Sequence, residues 1–247
     1  MQAKIKKTNQ KKMELMLPRR NVGKEEKAKS RDFFSSTFAH IDEKKRSKIL
    51  KAAMNEFAKN GYNGASINII AEKAGISIGS MYSYFDSKDA LYLTVMNTGY
   101  ASISGIIETV GYESADIYAA VERLLAEART YAKMQKEFVQ MYLELTSECL
   151  SKLSAKLPKR IETQSMEMYA KLLAKSKEKG VVDRGVNEAA AAFCIDNLVL
   201  MYLFSFCSDY YRDRMKIFLG KNVKDGEDVV AAIVSFIRGA LGAKKKS

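Results

Sequence analysis

Proline occurs at only two places in this chain, Pro18 and Pro158. Proline removes a backbone donor and breaks helices, so its scarcity leaves long stretches free to run as helix. A sandwich or barrel needs turn signals about every 8–12 residues, and 14 glycines and 2 prolines in 247 residues do not supply them. Apolar residues return instead at helical spacing, which predicts an all-α chain of about nine helices. Hydrophobic residues make up 47% of the sequence, enough for a core and too many for global disorder. The length suits one large or two small domains.

Charge and reactive side chains narrow the chemistry. Lys and Arg number 41 against 29 Asp and Glu, a net charge of +12. The first 40 residues hold eleven Lys or Arg and four Asp or Glu and contain no apolar signal region, so residues 1–41 are expected to form a basic, flexible tail. Met13 and Met16 lie inside it, and either could be an internal start. Cys149, Cys194 and Cys207 have no paired spacing; they are expected to be small buried hydrophobes in a reducing cytoplasm. His40 is the sole histidine. No phosphate-cradling glycine motif and no nucleophile elbow is present. An enzyme, a metal site or a cofactor is therefore not expected. The run Ala189–Cys207 is strongly apolar but broken by Asp196-Asn197, and its unbroken part is about half a membrane span. A core or subunit interface is the expected place for it, not a bilayer.

The helices can be placed by their caps. Asp42 caps a helix carrying Ile49, Leu50, Ala53, Met54 and Phe57, closed by Gly61. Ser66 caps a short second helix ending at Gly75, Ser77 a third, and Ser87 a long fourth. After Ser114 comes the stripe Ile117, Val121, Leu124, Leu125, Ala128 and Tyr131, then a second stripe of Phe138, Tyr142, Leu145 and Cys149. Pro158 opens a helix that closes at Gly180. Two apolar helices finish the chain, Asn187–Tyr211 and Asp225–Leu241. The expected domains are 42–102 and 103–247, behind the tail.

Residues 67–85 carry the spacing of a helix-turn-helix. Counting from Ile67, small Ala71 is fifth, where two helices approach, and Gly75 is ninth, where the turn needs positive φ. Such a motif lays its second helix in a major groove. The string G-I-S-x-G-x-M-Y-x-Y-F-x-S-K-D-x-L, from Gly75 to Leu91, follows F-A-x-x-G-Y and I-A-x-x-A-G. With them, Asp42 to about Tyr100 resembles the DNA-binding domain of the tetracycline-repressor (TetR) family of bacterial transcription regulators. The remaining chain resembles the family only in helix count and its two apolar terminal helices.

The resemblance implies roles by position. Ser66 and Asn68 would face phosphate, Ser77, Ile78, Gly79 and Ser80 would meet base edges, Tyr82 would contact the backbone, and Lys88 a phosphate. Tyr84 lies beside Tyr82 as either a second contact or a packing aromatic. The helix after Ser77 has no Arg, Lys, Asn or Gln, the side chains that read bases bidentately, so readout would rest on serine hydroxyls, the Gly79 backbone and Ile78 against a thymine methyl. The family's later helices enclose a ligand, for which Tyr131, Met134, Phe138, Met141, Tyr142 and Tyr169 are candidates or else ordinary core. Its last two helices pair across a homodimer, here through Leu198, Tyr202, Ile233 and Ile237. The expected function is a homodimeric repressor released from double-stranded, inverted-repeat operator DNA by a small apolar or aromatic effector. An activator or a ligand-independent regulator is the alternative, and a basic membrane-surface or RNA-binding protein a remoter one. The cluster Lys4, Lys6, Lys7, Lys11, Lys12, Arg19 and Arg20 would add electrostatic affinity, with Arg19-Arg20 able to enter a minor groove.

Overall fold

The computed structural model describes residues 33–157, 159–220 and 226–242. Regular structure among them is helical, twelve α-helices and one turn of 3-10 helix, with one isolated antiparallel bridge between Val182 and Gly242. The chain divides into two compact units. One runs to Ile103 and takes in Glu144–Pro158; the other comprises Ser104–Leu143 and the chain from Lys159.

The first unit begins with α1 (Ser36–His40), a helix in residues that the sequence assigns to the tail. Ser35 holds it in place: its backbone N–H donates to the Tyr84 carbonyl at 2.9 Å and its hydroxyl to the Ser83 carbonyl at 2.8 Å. Phe38 is buried, 4.6 Å from the Phe85 ring centre and 5.7 Å from Tyr84. In α2 (Glu43–Gly64) the Asp42 carboxylate accepts from the Lys44 and Lys45 amides, as its capping position predicts. Gly61 has φ +67°, so the regular helix stops there and a last turn leads to Gly64. α3 (Ile67–Ala74) and α4 (Ile78–Tyr84) follow, and α5 (Lys88–Glu113) is shared between the units. Ile49, Ala53, Phe57, Ile70, Met81 and Leu91 form the core of the first unit. After α7 (Lys136–Leu145), the 3-10 turn Glu148–Leu150 and α8 (Ser151–Ser154) also belong to this unit.

In the second unit α6 (Ile117–Met134) packs against α9 (Arg160–Glu178), α10 (Glu188–Phe204) and α12 (Glu227–Leu241). Asp116 caps α6, and Asn187 caps α10 by accepting from the Ala190 amide at 3.0 Å. The Ser176 hydroxyl, fully buried, accepts from the Ile117 amide at 3.0 Å and donates to the Leu172 carbonyl, joining α9 to the start of α6.

The count of twelve exceeds nine through α1, α8 and α11 (Asp209–Leu219). The last of these corrects the single helix Asn187–Tyr211. The chain leaves α10 at Phe204 and turns through 112° into α11. Ser205 donates to the Tyr202 carbonyl at 2.6 Å and Ser208 caps α11, so two hydroxyls compete with the helical ladder at the break. Pro158 and Asp225 lie outside the described residues, and their helices begin at Arg160 and Glu227. No single helix among the described residues is long and apolar enough to cross a membrane.

Candidate nucleic-acid interface

Two short helices and the glycine between them build this surface. Gly75 adopts φ +69°, ψ +39°, a left-handed conformation that a Cβ would strain. Its N–H and that of Ile76 close on the Glu72 and Ala71 carbonyls at 3.0 Å each, ending α3. A Cβ on Gly75 would come within 2.8 Å of Lys48 Nζ, so that ammonium lies over the turn. Behind α3, Glu56 is 1% exposed and accepts from Lys73 Nζ at 2.7 Å and Asn60 Nδ2 at 2.8 Å. The Lys73 hydrogen bond holds its carboxyl below the usual carboxylate range against the opposing effect of burial. This pair fixes α3 on α2.

Ser77 caps α4, its hydroxyl accepting from the Ser80 amide at 3.0 Å and pairing with the Ser80 hydroxyl at 2.9 Å. Met81 and Tyr84 face inward, while Ser77, Ile78, Gly79 and Tyr82 face solvent and Ser80 is half-buried. Asn68 is exposed at the start of α3. Ser66 stands at the N-cap, but its side chain makes no capping bond.

Tyr84 requires a correction. Only 6% exposed, it packs against Phe38, and its hydroxyl accepts from Lys45 Nζ at 3.1 Å. It is a packing aromatic, because α1 covers it from residues that the sequence leaves in the tail. Two lysines of α2, Lys45 and Lys48, also approach the motif, which the sequence reading does not anticipate; the basic cluster Lys44, Lys45, Arg46 and Lys48 at the helix start is the signal that points to them.

Lys88 donates to the Asn63 carbonyl at 3.1 Å and lies 4.9 Å above the Tyr62 ring. The Tyr62 hydroxyl donates to Asp89, whose other oxygen accepts from Lys156 Nζ at 2.7 Å. Burial, then the Asp89 carboxylate, pushes the Tyr62 hydroxyl up to about 12. Hydrogen bonds from Lys156 and then Tyr62 hold Asp89 low. The Tyr62 amide donates to Glu144 Oε1 at 2.9 Å, so the segment 144–157 braces the end of α2 and the start of α5.

The aromatic candidates of the second unit come together in part. Tyr131, Phe138, Tyr142 and Phe204 form a chain of buried rings with centres 5.6–6.3 Å apart, Met141 is buried, and Met134 is half-buried. Tyr169 is buried beside Asp196. Burial raises the Asp196 carboxyl, opposed by hydrogen bonds from Ser165 and Tyr169. The sequence shows Asp196 only as a break in an apolar run.

Two expected interface residues are corrected here. Tyr202 and Ile237 are buried within the subunit, and Leu198 and Ile233 are half-buried. The large apolar side chains that α10 and α12 turn outward are Phe193, Met201 and Phe236. α10 is apolar on nearly every face, so its pattern carries no direction. Cys149 and Cys194 are exposed and Cys207 half-buried, against the expectation of burial; α7 ends at Leu145, before the Cys149 position of its stripe. Among the described residues no group of His, Cys, Asp or Glu is arranged to hold a metal ion.

A left-handed glycine between two short helices, with the second helix turned outward, defines a helix-turn-helix domain. Residues 49–95 match the family described as bacterial regulatory proteins, tetR family. It is 28% identical over 179 residues to an uncharacterised HTH-type transcriptional regulator of Bacillus subtilis, YuxN, covering 72% of this chain and 57% of that protein. It is 34% identical over 94 residues to the HTH-type transcriptional repressor NicS of Pseudomonas putida, covering 38% of this chain and 44% of the relative. The chain thus spans about half the length of these curated relatives. Among solved structures, a TetR family transcriptional regulator from Chloroflexus aurantiacus shares the fold, with a TM-score of 0.62 at 21% identity over 86% of this chain and all of that one.

Proposed function

We propose that the chain is a sequence-specific DNA-binding transcription regulator, a homodimer that represses from an inverted-repeat operator and is released by a small apolar or aromatic effector. The observation that carries this reading is the outward face of α4, where Ser77, Ile78, Gly79 and Tyr82 are exposed beside half-buried Ser80. Ser66 and Asn68 on α3 and Lys88 on α5 flank it as phosphate contacts, joined by Lys45 and Lys48. Hydroxyls and ammonium groups are the usual phosphate partners. The repressor sense is supported by the name of NicS. Outward Phe193, Met201 and Phe236 support pairing through α10 and α12, which would set two recognition helices ~34 Å apart on one face of the duplex. The ring chain Tyr131–Phe138–Tyr142, with Met134, Met141 and Tyr169, supports an apolar or aromatic effector.

Selection of duplexes from a random library, followed by polarisation titrations against scrambled duplex, tests the DNA reading. The expected product is an inverted repeat bound well above its scrambled competitor; equal affinity for both rejects it. Calorimetry of an effector with and without operator tests release. Reciprocity requires operator to weaken effector binding by the factor through which effector weakens operator binding.

A further inference from the structure

We infer that α4 reads thymine through its 5-methyl group, with Ile78 as the specificity-determining side chain. This rests on the reading that α4 enters the major groove. Between Ile78 and Tyr84 there is no Arg, Lys, Asn, Gln, Asp or Glu, so no side chain can make a bidentate pair with a base edge. Three serines and Tyr82 remain as polar side chains; Tyr82 is assigned to the DNA backbone, and the serine hydroxyls are largely engaged within the helix. Ser83 donates to the Ser80 carbonyl at 2.8 Å, and Ser77 and Ser80 bond to each other. Each hydroxyl has one proton, so the three retain one free donor between them. A single donor can donate to guanine O6 or N7, adenine N7 and thymine O4 alike and does not discriminate among them.

The outward groups left are apolar or aromatic. Ile78 is 40% exposed in the first turn of α4 and Tyr82 56% exposed one turn later, while Met81 and Tyr84 are buried. Thymine's methyl is the apolar group that the major groove presents to such a side chain. A branched aliphatic held out in water gains by covering it, and no hydroxyl of α4 can supply the same distinction. Burial of one methyl corresponds to about a four-fold change in affinity, and about fifteen-fold across two symmetric half-sites.

The test uses the full-length chain and the inverted-repeat duplex it selects. Each thymine is replaced singly by deoxyuridine, which lacks only the methyl, and affinity is read by polarisation at fixed salt. One thymine per half-site is expected to lose about four-fold on replacement. Ile78→Ala, with helicity checked by circular dichroism, is expected to bind thymine and deoxyuridine duplexes equally. If specific binding persists and no thymine is sensitive, or if Ile78→Ala keeps the discrimination, the methyl inference fails while the DNA reading stands. If no duplex is preferred over scrambled competitor, the DNA reading fails and the inference with it.

Discussion

Two carboxylates illustrate how opposite environments move opposite ways. Glu56 is buried but held by Lys73 and Asn60, which keeps it ionised below its usual range. Its pair contributes stability that is present above the unfolded carboxylate pKa and is lost as pH falls through the lowered folded value. Lys73→Met leaves the carboxylate buried with the Asn60 amide and the Ser66 backbone N–H. Urea unfolding at pH 7 should show a loss of about 1–3 kcal/mol, shrinking toward zero at acid pH where Glu56 is protonated in both states. Asp196 is the reverse: burial raises it, so the folded state holds the proton more tightly and stability declines as pH rises from the unfolded pKa through the folded one. Asp196→Asn should therefore raise the thermal midpoint at pH 7 and leave it nearly unchanged at acid pH. A midpoint that drops at neutral pH would mean that the hydrogen bonds from Ser165 and Tyr169 outweigh the burial.

At the level of elements, α4 is held from three sides: by the left-handed turn at Gly75, by its own Ser77 cap, and by α1 through Ser35 and Phe38. This anchoring leaves Tyr82 free of packing duties, so Tyr82→Ala should weaken duplex binding about equally for all sequences while helicity is retained. Lys88 sits at the first residue of α5 with its ammonium above Tyr62. Lys88→Ala should also weaken binding uniformly. In addition it should lower the slope of log K against log salt by ~0.9 for each phosphate that is no longer neutralised. Polarisation titrations of both variants across a salt series separate the two, since removing the neutral tyrosine leaves the slope unchanged. A variant of either kind that binds like the parent chain would remove that residue from the DNA face.

At the scale of the whole molecule, the outward rings of α10 and α12 and the basic sequence ahead of α1 can be tested separately. Phe193 on α10 is 70% exposed and Phe236 on α12 is 68% exposed, so replacing either with Asp costs little inside the subunit. If the proposed dimer forms through α10 and α12, Phe236→Asp should convert it to monomer by light scattering with the helical spectrum unchanged; a persisting dimer would direct attention to another face, such as α11, which buries none of its residues. The basic cluster from Lys4 to Arg20, including the proposed Arg19-Arg20 arm, lies outside the described residues. Removing residues 1–32 spares α1 and Phe38. If the cluster engages DNA, the salt slope should fall by several units across a dimer, and an unchanged slope makes those charges bystanders.

Much of the helical frame was legible because its signals are local. Asp42, Ser77 and Asn187 cap helices through amides two or three residues away, and Gly75 and Gly180 close them with positive φ that glycine adopts without strain. The Ile67-Ala71-Gly75 spacing placed the helix-turn-helix for the same reason. What a face is covered by depends on residues far away in the chain. Tyr84 is inside because Phe38 packs on it, Glu56 is ionised because Lys73 reaches it from the next helix, and Tyr202 points inward while its neighbour Met201 points out. An all-apolar helix such as α10 has no periodic signal to separate those two neighbours. Periodicity and capping chemistry are written in the sequence, whereas the choice of buried face belongs to the tertiary structure, because burial is set by the partner that arrives and not by the helix that receives it.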